Sequence, residues 1–534
     1  MTRTTPGRKP LHQYKYNDLE KTLPFLEKWS PLVLGKIALY LCVCLLGTKL
    51  LNNTIWDPNV SQFTYIIGIL GIWRYAWWLT HAVRARVFAW LVYPRMAARA
   101  KALWESGWRP RRLHFMMTTY NEERDITEAV IRGIVNQVRD AGVPATLWLG
   151  SGGRFDEDII ENHLKLIADD LDITFQIIRQ IVPGKRMAIS TVLRAISRAG
   201  LGYDDLVVFM DGDFILAPDA CRKCLPLFGI DRELRALTTD EGAIVRGPFW
   251  MQSMLDLRFA QRRMAMQSHA LSGRVLTLTG RMSVFRGSDV ITNEFIRLLE
   301  ADYLNHWLWG DFRFLSGDDK STWYYMLKHK GKMTYVPDAM GYTIEVIKGS
   351  PYKRMVENWR RWSGNMLRNG ARGIKLGPWG MPVFIWWCLV DQRIAMWTML
   401  VSPMLAIAAT LVNGLEYLVA YALYLAITRM LLSCLMYSYA RHIDLNFPWI
   451  LWVNQTVNAA VKVYAIWRLS KQKWANRGDQ KAGFGGGGWK AQAQELMAAY
   501  LTALSVVGLF LAVLAYTGLL PVPSWHFVKT MLFS

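Results

Sequence analysis

Long apolar runs lie at both ends of the chain, and between them short apolar runs alternate with helix-period patterns. Five runs are long enough to cross about 30 Å of hydrocarbon; they cover approximately residues 30–51, 63–83, 394–412, 415–438 and 496–520. Two further apolar stretches read as helices lying in the membrane interface. Residues 446–468 carry Asn454, Gln455, Asn458 and Lys462, and residues 376–393 carry Trp379, Trp386 and Trp387 ahead of Asp391-Gln392-Arg393. The alternative is a sixth span whose polar face turns into the bundle.

Residues 113–345 repeat the strand–helix alternation of βα units around a mostly parallel sheet. Strands are expected near Leu113–Met117, Thr146–Leu149, Ile173–Ile178 and Leu206–Met210, with helices from about Asp125 to Ala141 and from Lys185 to about Ala199. The expected fold class is an α/β domain inserted between transmembrane helices. In chain order the parts are an extension (1–28), two transmembrane helices (29–98), the α/β domain (105–345), interfacial helices (346–393), two further transmembrane helices (394–438), an interfacial helix with a loop (446–492) and a last transmembrane helix (493–534).

Composition supports a membrane protein. Hydrophobic residues make up 52% of 534, with 25 Trp, too apolar for an ordinary soluble enzyme. The net charge of +21 could suggest nucleic acid. Its distribution argues otherwise, because Lys and Arg cluster before Trp29, over 84–112, 353–373 and 468–490, all beside apolar segments. That pattern suits anionic lipid headgroups and an anionic sugar nucleotide or polymer. The 52–62 loop has no Lys or Arg while both flanks are rich in them, so the N-terminus and residues 84–375 are expected in the cytosol. The stretch bearing Arg3, Arg8, Lys9, Lys15, Lys21 and Lys28 is polar for too long to be a secretory signal. Cys221 and Cys224 lack a second ligand pair, so zinc is not expected there, and no disulfide is required.

The candidate chemistry sits at the ends of these elements. The Leu206–Met210 strand delivers Asp211-Gly212-Asp213 to its carboxyl edge, where open α/β sheets bind ligands. Two carboxylates there suit Mg²⁺ or Mn²⁺ holding a departing diphosphate; the plainer reading is a solvated turn. Lys185 and Arg186 suit diphosphate contacts, or simply a charged helix start. Asp318 and Asp319, in Ser316-Gly317-Asp318-Asp319-Lys320, offer a general base with Lys320 holding one carboxylate ionised, or a helix cap. Asn358-Trp359-Arg360-Arg361-Trp362 adds a basic-aromatic cluster.

These motifs, in this order, resemble the processive family-2 inverting glycosyltransferases, which include the cellulose, chitin and hyaluronan synthases. The resemblance implies a GT-A fold, metal on Asp211 and Asp213, and Asp319 (with Asp318) as catalytic carboxylates. It also implies donor-nucleotide contacts from Thr119, Tyr120, Glu122, Lys185, Arg186, Arg361 and Trp362. Trp474-Ala475-Asn476-Arg477 resembles a gating loop in position and end residues, and the Gly485–Gly488 run would let it move. Two positions depart from the pattern. Asn358 stands where the family has Gln, so only Arg361 and Trp362 carry over. Leu149-Gly-Ser-Gly-Gly153 lacks the Asp that reads a uracil base, which makes a GDP sugar plausible.

Within that group the chain is most similar to the alginate polymerases of alginate-producing bacteria. The matching phrases are Ile72-Trp-Arg-Tyr75, Gly184-Lys-Arg186, Arg258-Phe-Ala-Gln-Arg262, Val275–Arg286, Ser316–Ser321 and Asp391-Gln-Arg393. Thr279, Gly280, Arg281, Lys320 and Trp362 then fall on the acceptor side, where Arg281 could pair with the carboxylate of a uronate or serve a structural role. The resemblance implies GDP-mannuronate as donor, β-1,4-linked polymannuronate as product, secretion across a bacterial inner membrane, a separate PilZ-bearing subunit sensing cyclic di-GMP, and periplasmic export partners. Rival readings are the same machinery on a UDP sugar, an export channel with a degenerate transferase domain, and a single-transfer lipid glycosyltransferase.

Overall fold

The buried apolar strands of the central block assemble into one seven-stranded sheet. Its order across the sheet is Lys332–Val336, Leu234–Thr239, Met282–Arg286, Leu206–Asp211, Leu113–Thr118, Ala145–Ser151 and Ile173–Arg179. All pairs are parallel except those made by Met282–Arg286, which runs against both neighbours. Leu113–Thr118 and Ala145–Ser151 are buried along their whole length, as parallel strands covered on both faces must be. Register sets Thr118 opposite Asp211, so the first strand and the Asp-bearing strand end at the same edge. A smaller sheet of Phe214–Leu216, Gly341–Val346 and Gly242–Arg246 closes one side of that edge. This computed structural model describes residues 10–22, 28–180, 182, 184–202, 204–474, 480–483 and 488–520.

Among the described residues, four helices are long and apolar enough to cross a membrane: Pro31–Leu50, Val383–Asn413, Glu416–Tyr437 and Trp489–Tyr516. The expected span at 63–83 lies inside a 30-residue helix, Pro58–Val87, which falls outside those four. That helix carries Arg74 into the bundle, where Nη1 donates to Asp391 Oδ1 at 2.7 Å. The same pair moves a boundary. Residues 376–393 do not form an interfacial stretch separate from a span at 394, because Val383–Asn413 is one continuous helix. Asp391, the polar residue that suggested the break, is buried against Arg74 rather than turned to an interface.

Two helices join the α/β domain to the bundle. Phe249–Ala270 buries Leu257, Ala260 and Met264 against Val33, Ala82, Ala85 and Met430. Pro351–Lys375 starts with Pro at its first turn and the Ser350 hydroxyl accepting from the Lys353 N–H. It packs against Phe447–Ile466, which also touches Val383–Asn413 and Glu416–Tyr437. Leu11–Gln13 packs on the Arg124–Ala141 helix, and Leu11 and Leu19 are buried in the domain core.

Candidate active site

Gly212 explains how two carboxylates reach one edge. A Cβ there would stand 2.9 Å from Thr119 Cβ and 3.0 Å from the Thr118 carbonyl. Only glycine lets the turn press onto the neighbouring strand, where Gly212 N–H donates to that carbonyl at 2.9 Å. Asp211 then lies at the strand end and Asp213 enters the second sheet, its carbonyl accepting from Ile344 N–H at 3.1 Å. Lys185, the first residue of the Lys185–Arg198 helix, reaches across the edge. Its ammonium lies 2.6 Å from Asp211 Oδ1 and 3.1 Å from Asp318 Oδ2. Gly280 packs onto this triad, since a Cβ would sit 3.2 Å from Lys185 Nζ and 3.5 Å from Asp318 Oδ2.

Asp318 and Asp319 open the Asp318–Lys328 helix behind Gly317, whose φ is +88°. The left-handed backbone and a Cβ position only 2.8 Å from the Asn365 side chain both require glycine there. The two carboxyls are pushed apart. Burial works to raise Asp318, but the charges of Lys185 and Arg186 and the hydrogen bond from Lys185 together outweigh it and hold Asp318 below the usual carboxylate range. Burial raises Asp319, and the neighbouring Asp318 charge raises it further. A pair separated in this way supplies one permanent anion and one proton acceptor.

The opposite wall comes from the Pro351–Lys375 helix and the strand Gln472–Trp474. Arg361 contacts Asn358 Oδ1 at 3.4 Å, and its guanidinium lies 5.2 Å from the Trp474 ring centre. Gln472 clips this strand to the loop leading to Asp318, donating to the Arg313 carbonyl at 2.8 Å and accepting from Leu315 N–H at 2.9 Å. Arg477 lies outside the described residues.

Beside this wall four further charged residues line the cleft, of which only Arg281 had been singled out for a charged contact. Glu241 is buried, and Arg262 Nε and Arg281 Nη1 lie 3.1 and 2.9 Å from its carboxylate. Arg281 is thus neutralised within the protein. Arg262 also donates to the Thr239 carbonyl at 3.3 Å. The third guanidinium, Arg258, stacks 3.2 Å over the Trp362 ring, and its buried Nη1 has no hydrogen-bond partner. Burial, and then the charge of Arg281, pull Arg258 down to about 9. Glu241 pairs with Arg262 and Arg281, and Arg258 has no ion pair among the described residues.

These groups share one cleft of about 950 Å³. Over 431 residues the chain is 35% identical to "Glycosyltransferase alg8" of Pseudomonas syringae pv. tomato, a match covering 80% of this chain and 87% of that relative. The chain belongs to the alg8 glycosyltransferases. It is also 34% identical over 447 residues to the alg8 glycosyltransferase of Azotobacter vinelandii, covering 82% of this chain and 89% of the relative. A family model described as "Glycosyltransferase like family 2" matches residues 110–365. Among solved structures, the mannosyltransferase PcManGT from Pyrobaculum calidifontis, in complex with GDP-Man and Mn2+, matches with a TM-score of 0.51. Its sequence identity is 18%, and the match covers 76% of this chain and 99% of that one. The GT-A fold and the family-2 resemblance drawn from the sequence are borne out.

Not every expected site residue of this glycosyltransferase faces the cleft. Tyr120, Glu122, Lys185, Asp211, Asp213, Thr279, Gly280, Arg281, Asp318, Asp319, Arg361, Trp362 and Trp474 line it. Arg186 does not. Its guanidinium is buried, donating to the Leu299 and Ser316 carbonyls at 3.2 and 3.1 Å and to Ser321 Oγ at 2.9 Å. It supports the Asp318 loop from beneath instead of meeting a diphosphate. Lys320 also turns away, donating to the Leu276 carbonyl at 2.5 Å. Thr119 is buried under the D-x-D turn. Glu241 and Arg258 were missed as charged partners, although the Arg258–Arg262 spacing, one helical turn on one face, was the available signal.

Proposed function

We propose that this glycosyltransferase polymerises GDP-mannuronate into β-1,4-linked polymannuronate, the alginate precursor, and passes the chain outward across the bacterial inner membrane. The observation that carries the uronate reading is Arg258, a buried guanidinium nitrogen without a partner, stacked on Trp362 at the cleft. A carboxylate on the sugar would satisfy it with a charge-assisted hydrogen bond; a neutral sugar would leave its charge without a counter-ion.

The chemistry follows from the carboxylate pair. Asp319 takes the proton from the 4-hydroxyl of the acceptor end as that oxygen attacks the anomeric carbon of the donor. The new O4–C1 bond forms as the C1–O bond to the β-phosphate breaks, and the bonding pair leaves with GDP, so configuration at C1 inverts. In this reading Lys185 and Arg361, which line the cleft, compensate the departing diphosphate, and Tyr120 and Glu122 contact the nucleotide. Asp211 and Asp213 form a hard oxygen donor set that fits Mg²⁺ or Mn²⁺. Such an ion would neutralise the leaving group. Trp362 offers the acceptor sugar an aromatic face.

Export rests on the family resemblance and on the apolar helices that flank the domain. The charge asymmetry of the loops supports a cytosolic catalytic domain. The partners this reading brings, a PilZ-bearing cyclic di-GMP sensor and periplasmic export proteins, rest on the family resemblance. The test is a donor screen with inverted membrane vesicles. GDP-mannuronate should give polymer sensitive to a mannuronate lyase, whereas UDP-glucuronate, UDP-glucose and UDP-N-acetylglucosamine should not. Polymer from a UDP sugar alone would overturn the substrate assignment in favour of a hyaluronan-like or glucan synthase.

A further inference from the structure

Away from the cleft, three side chains that the transfer reaction does not use meet where the bundle touches the α/β domain. His81 comes from Pro58–Val87, His269 from the end of Phe249–Ala270 and Cys388 from Val383–Asn413. Each offers one ligand atom, and the three atoms lie within 4.8 Å of one another. Relative exposures are 9%, 5% and 3%. The Nδ1 atoms of both histidines are buried without a hydrogen-bond partner. Two orphaned imidazole nitrogens beside a thiol are unfavourable unless something occupies their lone pairs.

We propose that His81, His269 and Cys388 bind a thiophilic d¹⁰ metal ion, Zn²⁺ or Cu⁺, which fastens the membrane bundle to the catalytic domain. Two imidazoles and a thiolate form the donor set such ions select, and one that Mg²⁺ or Mn²⁺ does not. An ion with bonds of about 2.0 Å to nitrogen and 2.3 Å to sulfur spaces its ligands about 3.5 Å apart. The side chains therefore close by roughly 1 Å, within reach of small χ rotations. Arg84 lies 3.7 Å over the Phe384 ring, which itself packs on both histidines. With two neutral imidazoles and a thiolate as ligands, Cu⁺ would leave the site neutral and Zn²⁺ would leave it at +1. His269 sits on the same helix as Arg258 and Arg262, so the ion would fix the height of the arginine cluster over the cleft.

The test uses the full chain in nanodiscs, dialysed against a weak chelator and analysed for metals. Wild type should retain on the order of one Zn or Cu per chain. Bicinchoninate competition identifies Cu⁺, and a thiolate-to-metal charge-transfer band after Co²⁺ replacement identifies a Zn²⁺ site. His269→Phe keeps an aromatic ring in the cluster but removes the ligand, so it should lose the metal. A strong chelator should lower the melting temperature of wild type and leave that of His269→Phe unmoved. Cys388→Ser should abolish the charge-transfer band. Less than about a tenth of an equivalent in wild type, or equal metal content in wild type and His269→Phe, would overturn the proposal and leave an aromatic packing cluster.

Discussion

The Arg258 guanidinium lies 3.2 Å above the centre of the Trp362 ring, and this contact ties a cation of the cleft without an ion-pair partner among the described residues to an aromatic of the cleft wall. Stacking fixes the plane of the guanidinium while one nitrogen keeps its donor capacity. Arg258→Leu should therefore reduce kcat/KM for uronate-terminated acceptors by about ten- to a hundred-fold, the worth of one charge-assisted hydrogen bond. Neutral acceptors of the same length should lose far less. Arg258→Lys should recover only part of the loss, because an ammonium neither stacks as a plane nor binds a carboxylate with two parallel bonds. Equal loss on both acceptors would assign Arg258 to packing.

Arg281→Leu carries a different expectation. Its partner Glu241 is buried, so the variant leaves a carboxylate paired with one arginine, Arg262, instead of two. The effect should fall on neutral and acidic substrates alike and appear as a lower melting temperature, by the order of 1–3 kcal/mol of stability. Thermal unfolding combined with kinetics on both acceptor types separates this from the outcome at Arg258.

The Asp318–Asp319 pair makes a pH prediction whose sign is fixed by its neighbours. The base works when ionised, so turnover is present above the raised pKa of Asp319 and is lost as pH falls through it. Asp318→Asn removes the adjacent negative charge, so Asp319 ionises more readily and the acid limb of the pH–kcat profile moves to lower pH. Asp319→Asn should instead cost roughly 10²–10⁴-fold in turnover with donor binding retained. An acid limb that stays in place in Asp318→Asn, or moves upward, would show that Asp319 is not the titrating base.

Much of this site was legible because local pattern and function coincide. Apolar strands followed by Asp, Gly or Thr mark a sheet edge, and Gly212, Gly280 and Gly317 sit where the backbone must approach closely. What stayed hidden depends on orientation and on long sequence separation. Lys185 and Arg186 are consecutive on a helix and so point about 100° apart; only one can face the cleft, and composition does not say which. Asp319 and Lys320 differ in the same way. Arg74 meets Asp391 across 317 positions, and Arg281 meets Glu241 across 40. Neither pairing leaves a trace in local periodicity, which is why Asp391 suggested an interface and Arg281 an unpaired cation.

Arg186 and Lys185 therefore separate cleanly by experiment. Arg186→Met should cost about 2–4 kcal/mol of stability, because two backbone carbonyls and the Ser321 hydroxyl lose a buried donor. Nucleotide affinity of the folded fraction should change little, which isothermal titration with GDP can check. A large loss of GDP affinity without a fall in melting temperature would return Arg186 to the diphosphate.

Lys185→Met should push two measurements in opposite directions. The ammonium holds Asp211 at 2.6 Å and Asp318 at 3.1 Å, so it competes with a divalent ion for the Asp211 carboxylate. Its removal frees that oxygen and leaves more negative charge at the strand end. Mn²⁺ binding to the nucleotide-free protein, followed by electron paramagnetic resonance, should tighten several-fold, in line with the loss of a partly buried ion pair. Turnover should nevertheless fall, because the cation compensating the departing diphosphate is gone. A structural lysine predicts neither change in metal affinity nor a selective loss in kcat. Weaker Mn²⁺ binding in Lys185→Met would mean that Lys185 organises Asp211 for the ion instead of competing with it.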